Sequence, residues 1–273
     1  MIFSKEFKST FGKMIAWLLV IGVLTGLLMA FYPLMLEDRM KSIFDTFING
    51  LSDNLAAGLG FDKELDYSNI SSYLAFVFQY IAVLIGIFAF HLGAKSLAKE
   101  EENGSIQYLY SNPISRSETG SSKLLSGLVT SSLFLILLCS LSLGFIKVIG
   151  LKYPDIESSD YLVNLVIIHL GMLASSLVFM GIGYFISSFT RSASYSETVA
   201  VLFIIIIVLF ATTGKVLGGT YEMVASKLPF EVFNPYKLVS HSFDIIGIAI
   251  NGVIFMITIA LTYLIYGNKE FKF

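Results

Sequence analysis

Six stretches of this chain, at 14–32, 73–97, 124–149, 161–189, 199–217 and 243–265, are almost free of charged residues and long enough to cross a bilayer. A helix rising 1.5 Å per residue needs about 20 apolar residues to traverse about 30 Å of hydrocarbon. Backbone in lipid must satisfy its own N–H and C=O groups, so runs of this length specify transmembrane helices. The composition agrees, with 55% of 273 residues hydrophobic, 14% charged and a mean hydropathy of +0.78. No water-soluble domain has that balance. The expectation is a single all-α transmembrane domain over residues 1–273 with six spans. Lys5, Lys8 and Lys13 before the first span resemble the start of a signal peptide, but the apolar run is long and ends in Phe31, Tyr32 and Pro33 rather than in small residues. It is therefore expected to be retained.

Six spans put both termini on one side. With charges at the span ends counted to the adjoining side, the amino terminus, the loops after spans two and four and the tail hold ten Lys/Arg against seven Asp/Glu, while the other loops hold eight against thirteen. The basic bias points to a plasma-membrane protein with both termini in the cytoplasm. A net charge of −2 offers nothing to nucleic acid. Cys139 is alone, and can form neither an internal disulfide nor a metal site by itself.

Three segments outside the spans carry a pattern. At the amino terminus Ile2, Phe3, Phe7 and Phe11 alternate with polar residues, which fits either a short amphipathic helix in the membrane interface or the basic flank of an anchor. In the loop 33–72, Leu36, Met40, Ile43, Phe44, Phe47, Leu51 and Leu55 recur at spacings of three and four, which predicts an amphipathic helix packed on its neighbours, lying on the leaflet or capping a pathway.

The third segment is the loop 98–123. Its charged start extends span two as far as Asn103 and Gly104, where glycine supplies the left-handed turn that ends helices. Ser105 can cap a short helix that Pro113 stops, and Ser115 with Glu118 forms a capping box opening the next helix. A one-turn helix does not persist alone in water, so something must hold it. Ile106, Tyr108, Leu109 and Tyr110 either anchor it to a partner or fold back on the helix ends.

Several chemistries are missing. Gly12-Lys13-Met14 and Gly214-Lys215-Val216 lack the hydroxyl and the upstream glycine of a P-loop, so the chain cannot bind ATP that way. His91, His169 and His241 are scattered and form no metal motif. His169, inside span four, is either a functional group or an imidazole bonded to a neighbouring helix. No carboxylate falls near the middle of a span, which disfavours an ion-coupled carrier. Gly22 and Gly26 form a G-x-x-x-G in span one, and Gly171, Ser175, Gly181 and Gly183 line span four. Such faces join two protomers or two spans of one chain; Gly22 and Gly26 are candidates for protomer packing.

From Glu101 and Glu102 through Asn103, Gly104, Ser105, Ile106, Leu109, Ser111, Pro113, Ile114, Ser115 and Arg116 to Lys123, the loop resembles the permease subunits of ABC-2 type transporters of bacterial exporters. Ser105 stands where the family has threonine, Gln107 where it is often acidic, and the loop 33–72 is longer than in the simplest members. The resemblance implies an ABC ATPase in the cytoplasm, two copies per complex, with ATP and magnesium bound there and none by this chain. It implies a second permease chain, identical or not, a pathway between the two, and an outer re-entrant segment containing residues 228–233. The short helix near Ser105 would be the coupling helix, with Glu101, Glu102, Gly104, Ser105, Ile106, Tyr108, Leu109, Tyr110, Pro113 and Arg116 as the ATPase-coupling residues.

The expected function is thus the non-catalytic permease of an exporter for a hydrophobic or amphipathic peptide, drug or lipid, with antimicrobial-peptide or drug efflux as the narrower expectation. The alternatives are a carrier or channel acting alone, and a membrane sensor or immunity protein.

Overall fold

A computed structural model describes residues 2–111, 113–154, 156 and 161–271, and the regular structure among them is entirely helical. In chain order come α1 (Ile2–Ala30), the single turn α2 (Tyr32–Met35), α3 (Asp38–Gly50), α4 (Asp53–Leu59), α5 (Ile70–Ser96), α6 (Lys99–Glu102) and α7 (Ile106–Tyr110). Then follow α8 (Arg116–Gly150), α9 (Tyr161–Phe189), α10 (Ala193–Leu217), α11 (Gly219–Ala225), α12 (Pro229–Val232), α13 (Pro235–Val239) and α14 (Ile245–Asn268). Six of them, α1, α5, α8, α9, α10 and α14, are long and apolar enough to cross a membrane. At 35 residues α8 is about 50 Å long, more than the hydrocarbon needs, so its polar first turns stand outside it.

Backbone proximity decides which spans are central. A Cβ placed on Gly93 of α5 would lie 2.1 Å from the carbonyl oxygen of Met180, and one on Gly183 of α9 would lie 2.4 Å from that of Phe90. Only glycine lets the two backbones cross this closely. Consequently α5 and α9 are the two spans whose residues are mostly buried, whereas most residues of α10 and α14 are not. Around this pair, α10 sets Phe203 edge-on against Phe90 of α5, and α14 brings Phe255 and Thr258 to Gly181 of α9. The remaining span, α1, lies along α8, where Leu141 and Phe145 fill the notches at Gly22 and Gly26. The small-residue face of α1 at Gly22 and Gly26 is thus met by α8 of the same chain, the second of the two packings open to it.

The amino terminus differs from the interfacial helix that its pattern allowed. Residues 2–30 are one continuous helix. No proline interrupts them, and Glu6 is drawn inward to lysines on α6 and α8, which aligns the first turns with the span.

On the face opposite the termini, the amphipathic pattern of 36–55 is split. Gly50 ends α3, and the Ser52 hydroxyl accepts the Leu55 N–H to cap α4. Phe44 of α3 packs into a ring cluster with Phe61, Tyr67 and Phe76. Asn54 of α4 donates to the Val216 carbonyl (3.2 Å) at the end of α10. Between α10 and α14 the chain turns inward through α11, α12 and α13. Phe230 packs at a tilt against Phe179 with centroids 4.6 Å apart, and Leu238 fills the space above Gly171.

Candidate functional site

The loop between α5 and α8 is organised from its backbone outward. The helix α5 stops because the N–H groups of Leu97 and Ala98 donate to the Ser187 hydroxyl of α9 (2.8 and 3.0 Å) instead of to their own helix. The charged continuation is a separate turn, α6, rather than the extension of span two that the sequence pattern indicated. At Gly104 φ is +66°, with nothing within 4 Å of a Cβ position, so glycine is required there for the backbone angle and not for room. Ser105 precedes α7 but makes no side-chain cap. Its backbone is already helical (φ −84°, ψ −1°), not the extended form that aims a hydroxyl at the first turn. Ser115 does have the extended form (ψ 155°), and its hydroxyl accepts the Glu118 N–H at 3.1 Å.

One turn of helix points successive side chains about 100° apart, and α6 uses this to grip its surroundings on every side. Lys99 pairs with Glu6 of α1 (2.7 Å). Glu100 pairs with Lys123 of α8 (2.5 Å), which also donates to the Ser96 carbonyl and lies 3.7 Å from Glu6. Glu101 sits between Lys269 of the tail (2.7 Å) and Arg191 of the turn before α10 (3.2 Å). Glu102 accepts from the Ser192 hydroxyl (2.9 Å) and the Ser194 N–H (3.3 Å), which places its charge on the positive end of α10. Hydrogen bonds from Ser194 and Ser192 hold the Glu102 carboxyl below the usual carboxylate range.

The helix α7 has an inner and an outer side. Ile106 is buried, and the Tyr110 hydroxyl meets that of Tyr266 (2.8 Å) while its ring stacks on Phe271. These two residues fold back on the chain, the second of the two arrangements open to them. Gln107 and Tyr108 face outward, Tyr108 with 78% of its surface exposed, and Pro113 is exposed. Leu109 lines a cleft of about 320 Å³ with Ile2, Lys5 and Ser9 of α1. Arg116 donates to the carbonyls of Tyr266, Gly267 and Lys269 (3.2, 2.9 and 2.7 Å) and lies over the Phe271 ring. It thus satisfies the carbonyls that the end of α14 leaves without helical partners.

The structure brings Glu101, Glu102, Ile106, Tyr110 and Arg116 into one bonded assembly and leaves Gln107, Tyr108 and Pro113 at its outer edge. Glu6, Lys99, Glu100, Arg191 and Lys269 belong to that assembly although no motif marks them; their one sequence signal is being charges packed at span ends. His169 stands apart. Its Nδ1 lies 2.8 Å from the Leu165 carbonyl of its own helix, not of a neighbouring one, and its ring abuts Phe78. Among the described residues no cluster of three or more His, Cys, Asp or Glu side chains could hold a metal ion.

The family model described as ABC-2 family transporter protein matches residues 1–270. No curated protein matches the chain.

Proposed function

Because this chain belongs to the ABC-2 family of transporter proteins, a family of membrane permeases that work with an ABC ATPase, we propose that the loop from Lys99 to Pro113 is where that ATPase seats. ATP hydrolysed on the partner, where the nucleotide and magnesium are held, drives export of a hydrophobic or amphipathic substrate. The observation carrying this reading is the bonding of α6. Its four consecutive side chains reach α1, α8, the tail with the turn before α10, and α10 itself. A load applied at the exposed edge of α7 reaches four elements at once, through ion pairs and, at Glu102, hydrogen bonds. Gln107 and Tyr108 are the residues that would enter the ATPase groove. In this reading Ile106, Tyr110 and Arg116 hold the helix from behind, and Glu101 and Glu102 hold its base.

The basic bias of the same face supports a cytoplasmic orientation for it. The open faces of α10 and α14 supply the surface on which a second permease chain packs, with two ATPases beneath the pair. The test is co-expression with an ABC ATPase, followed by purification and reconstitution. ATP-dependent flux and co-purification are expected, and Tyr108→Ala is expected to weaken both without changing membrane insertion. Flux by the chain alone, driven by an ion gradient and indifferent to ATP, would overturn the reading.

A further inference from the structure

Near the level where the spans leave the membrane on the amino-terminal face, α1 and α10 each pack against α5 and leave a cleft of about 80 Å³ beside it, whose lining includes Glu6, Lys13, Trp17, His91, Lys95, Lys99 and Glu197. That is between two and three times a water molecule's share of liquid volume, room for one phosphate or carboxylate but not for a bulky head group. Charge in the cleft is unbalanced. Lys95 is neutralised by Glu197 (3.2 Å) and Lys99 by Glu6 (2.7 Å), and Glu6 is already shared with Lys123. Among the described residues Lys13 has no carboxylate partner and borders the same cleft as Lys95. The His91 Nε2 is buried without a hydrogen-bond partner. Beyond the cleft toward the membrane centre, α1 and α10 expose only apolar side chains, including Leu19, Val20 and Val23 on one and Leu202, Ile205 and Ile206 on the other.

We propose that this cleft binds the anionic head group of an amphiphile drawn from the adjoining leaflet, its phosphate or carboxylate between Lys13 and Lys95 and its chain along α1 and α10. Basic pockets between spans at the membrane surface bind such head groups, and Trp17 supplies the amphipathic ring that sits at this depth. The binding statement stands on the cleft alone. That the amphiphile is also the exported cargo rests on the permease reading.

Trp17 is the single tryptophan of the chain, so its fluorescence reports on the cleft without labelling. The full chain is placed in nanodiscs of uncharged and zwitterionic lipid, and brominated phosphatidic acid is compared with brominated phosphatidylcholine as quencher. Stronger quenching by the anionic lipid is expected. Lys13→Gln should lower that preference about fivefold, the ratio equivalent to about 1 kcal/mol. Lys8→Gln, an exposed change five residues before Lys13 and outside the cleft, should leave it intact. Equal quenching by the two lipids, or a preference that survives Lys13→Gln, overturns the site.

The source of the head group is read with dodecyl phosphate against dodecylphosphocholine, which share a tail. Relief of quenching together with accelerated ATP hydrolysis by the assembled complex marks cargo. Relief without acceleration, in a complex that hydrolyses ATP, overturns the cargo assignment and identifies a bound membrane lipid. A chain that shows anionic preference but recruits no ATPase refutes the permease reading and leaves the site standing.

Discussion

Replacing Lys123 by methionine tests whether the α6 assembly is held by its ion pairs. The side chain is 1% exposed, its partners Glu100 and Glu6 are 16% and 9% exposed, and it also bonds the Ser96 carbonyl. Removing one partner of a buried pair strands the other and costs about 3–5 kcal/mol. Glu6 retains Lys99, and methionine fills most of the lysine stem, so the cost is set near the lower limit, about 3 kcal/mol. The loss would appear when the full chain in mixed micelles is unfolded by rising sodium dodecyl sulfate and followed by far-ultraviolet circular dichroism. In the double variant Lys123→Met/Glu100→Gln no carboxylate is stranded at position 100, so part of the loss should return. A coupling energy of about 1 kcal/mol or more is expected. Single-variant losses that simply add, within about 0.5 kcal/mol, would refute the argument.

Other perturbations separate backbone, packing and electrostatic causes. Gly104→Val should abolish ATP-coupled flux while the chain still inserts, and Gly104→Asn should keep most of it, because asparagine tolerates positive φ; equal loss in both would show that room and not the +66° angle matters. Gly93→Ala should prevent assembly, since its methyl would meet the Met180 carbonyl, whereas Gly12→Ala, with nothing within 4 Å, should be neutral in yield and melting temperature. Arg116→Ala removes the donor to three carbonyls and should cost about 2 kcal/mol and expose residues 269–271 to proteolysis, measured as cleavage rate. Glu102 has a lowered pKa when folded, so its stabilisation is present above the ordinary carboxylate pKa, about 4.3, and is lost as pH falls through the lower folded value; Glu102→Gln should remove that acid-dependent step from the unfolding profile.

Everything set by one short stretch of chain was legible without a fold. Apolar run length specified six spans, since each helix satisfies its own backbone in lipid. Gly104 marked a left-handed turn and Ser115 a helix start, because both are decided by the conformational range of one residue and its immediate neighbours. Ser105 had the same chemistry as Ser115 and a different outcome: the chain leaving Gly104 enters it in a helical conformation, out of reach of the cap.

Tertiary structure alone decided who meets whom. Gly22 and Gly26 announced a close helix contact, but identifying α8 as the partner required Leu141 and Phe145 to be opposite them. Glu6, Lys99, Glu100 and Lys123 are ordinary charges beside spans, 117 positions apart at the extremes, until α1 lies along α8 and brings the first to within 3.7 Å of the last. The two sides of α7 were likewise indistinguishable in sequence, because a five-residue helix has no periodicity to display. The tail, through Tyr266 and Phe271, selects Tyr110 for the inside and leaves Tyr108 out. Local propensity acts within a few residues, whereas ion pairing and close packing act through space, so only the packed spans could show which charges form the base of the loop and that Lys13 lines a cleft beside Lys95 with no carboxylate partner among the described residues.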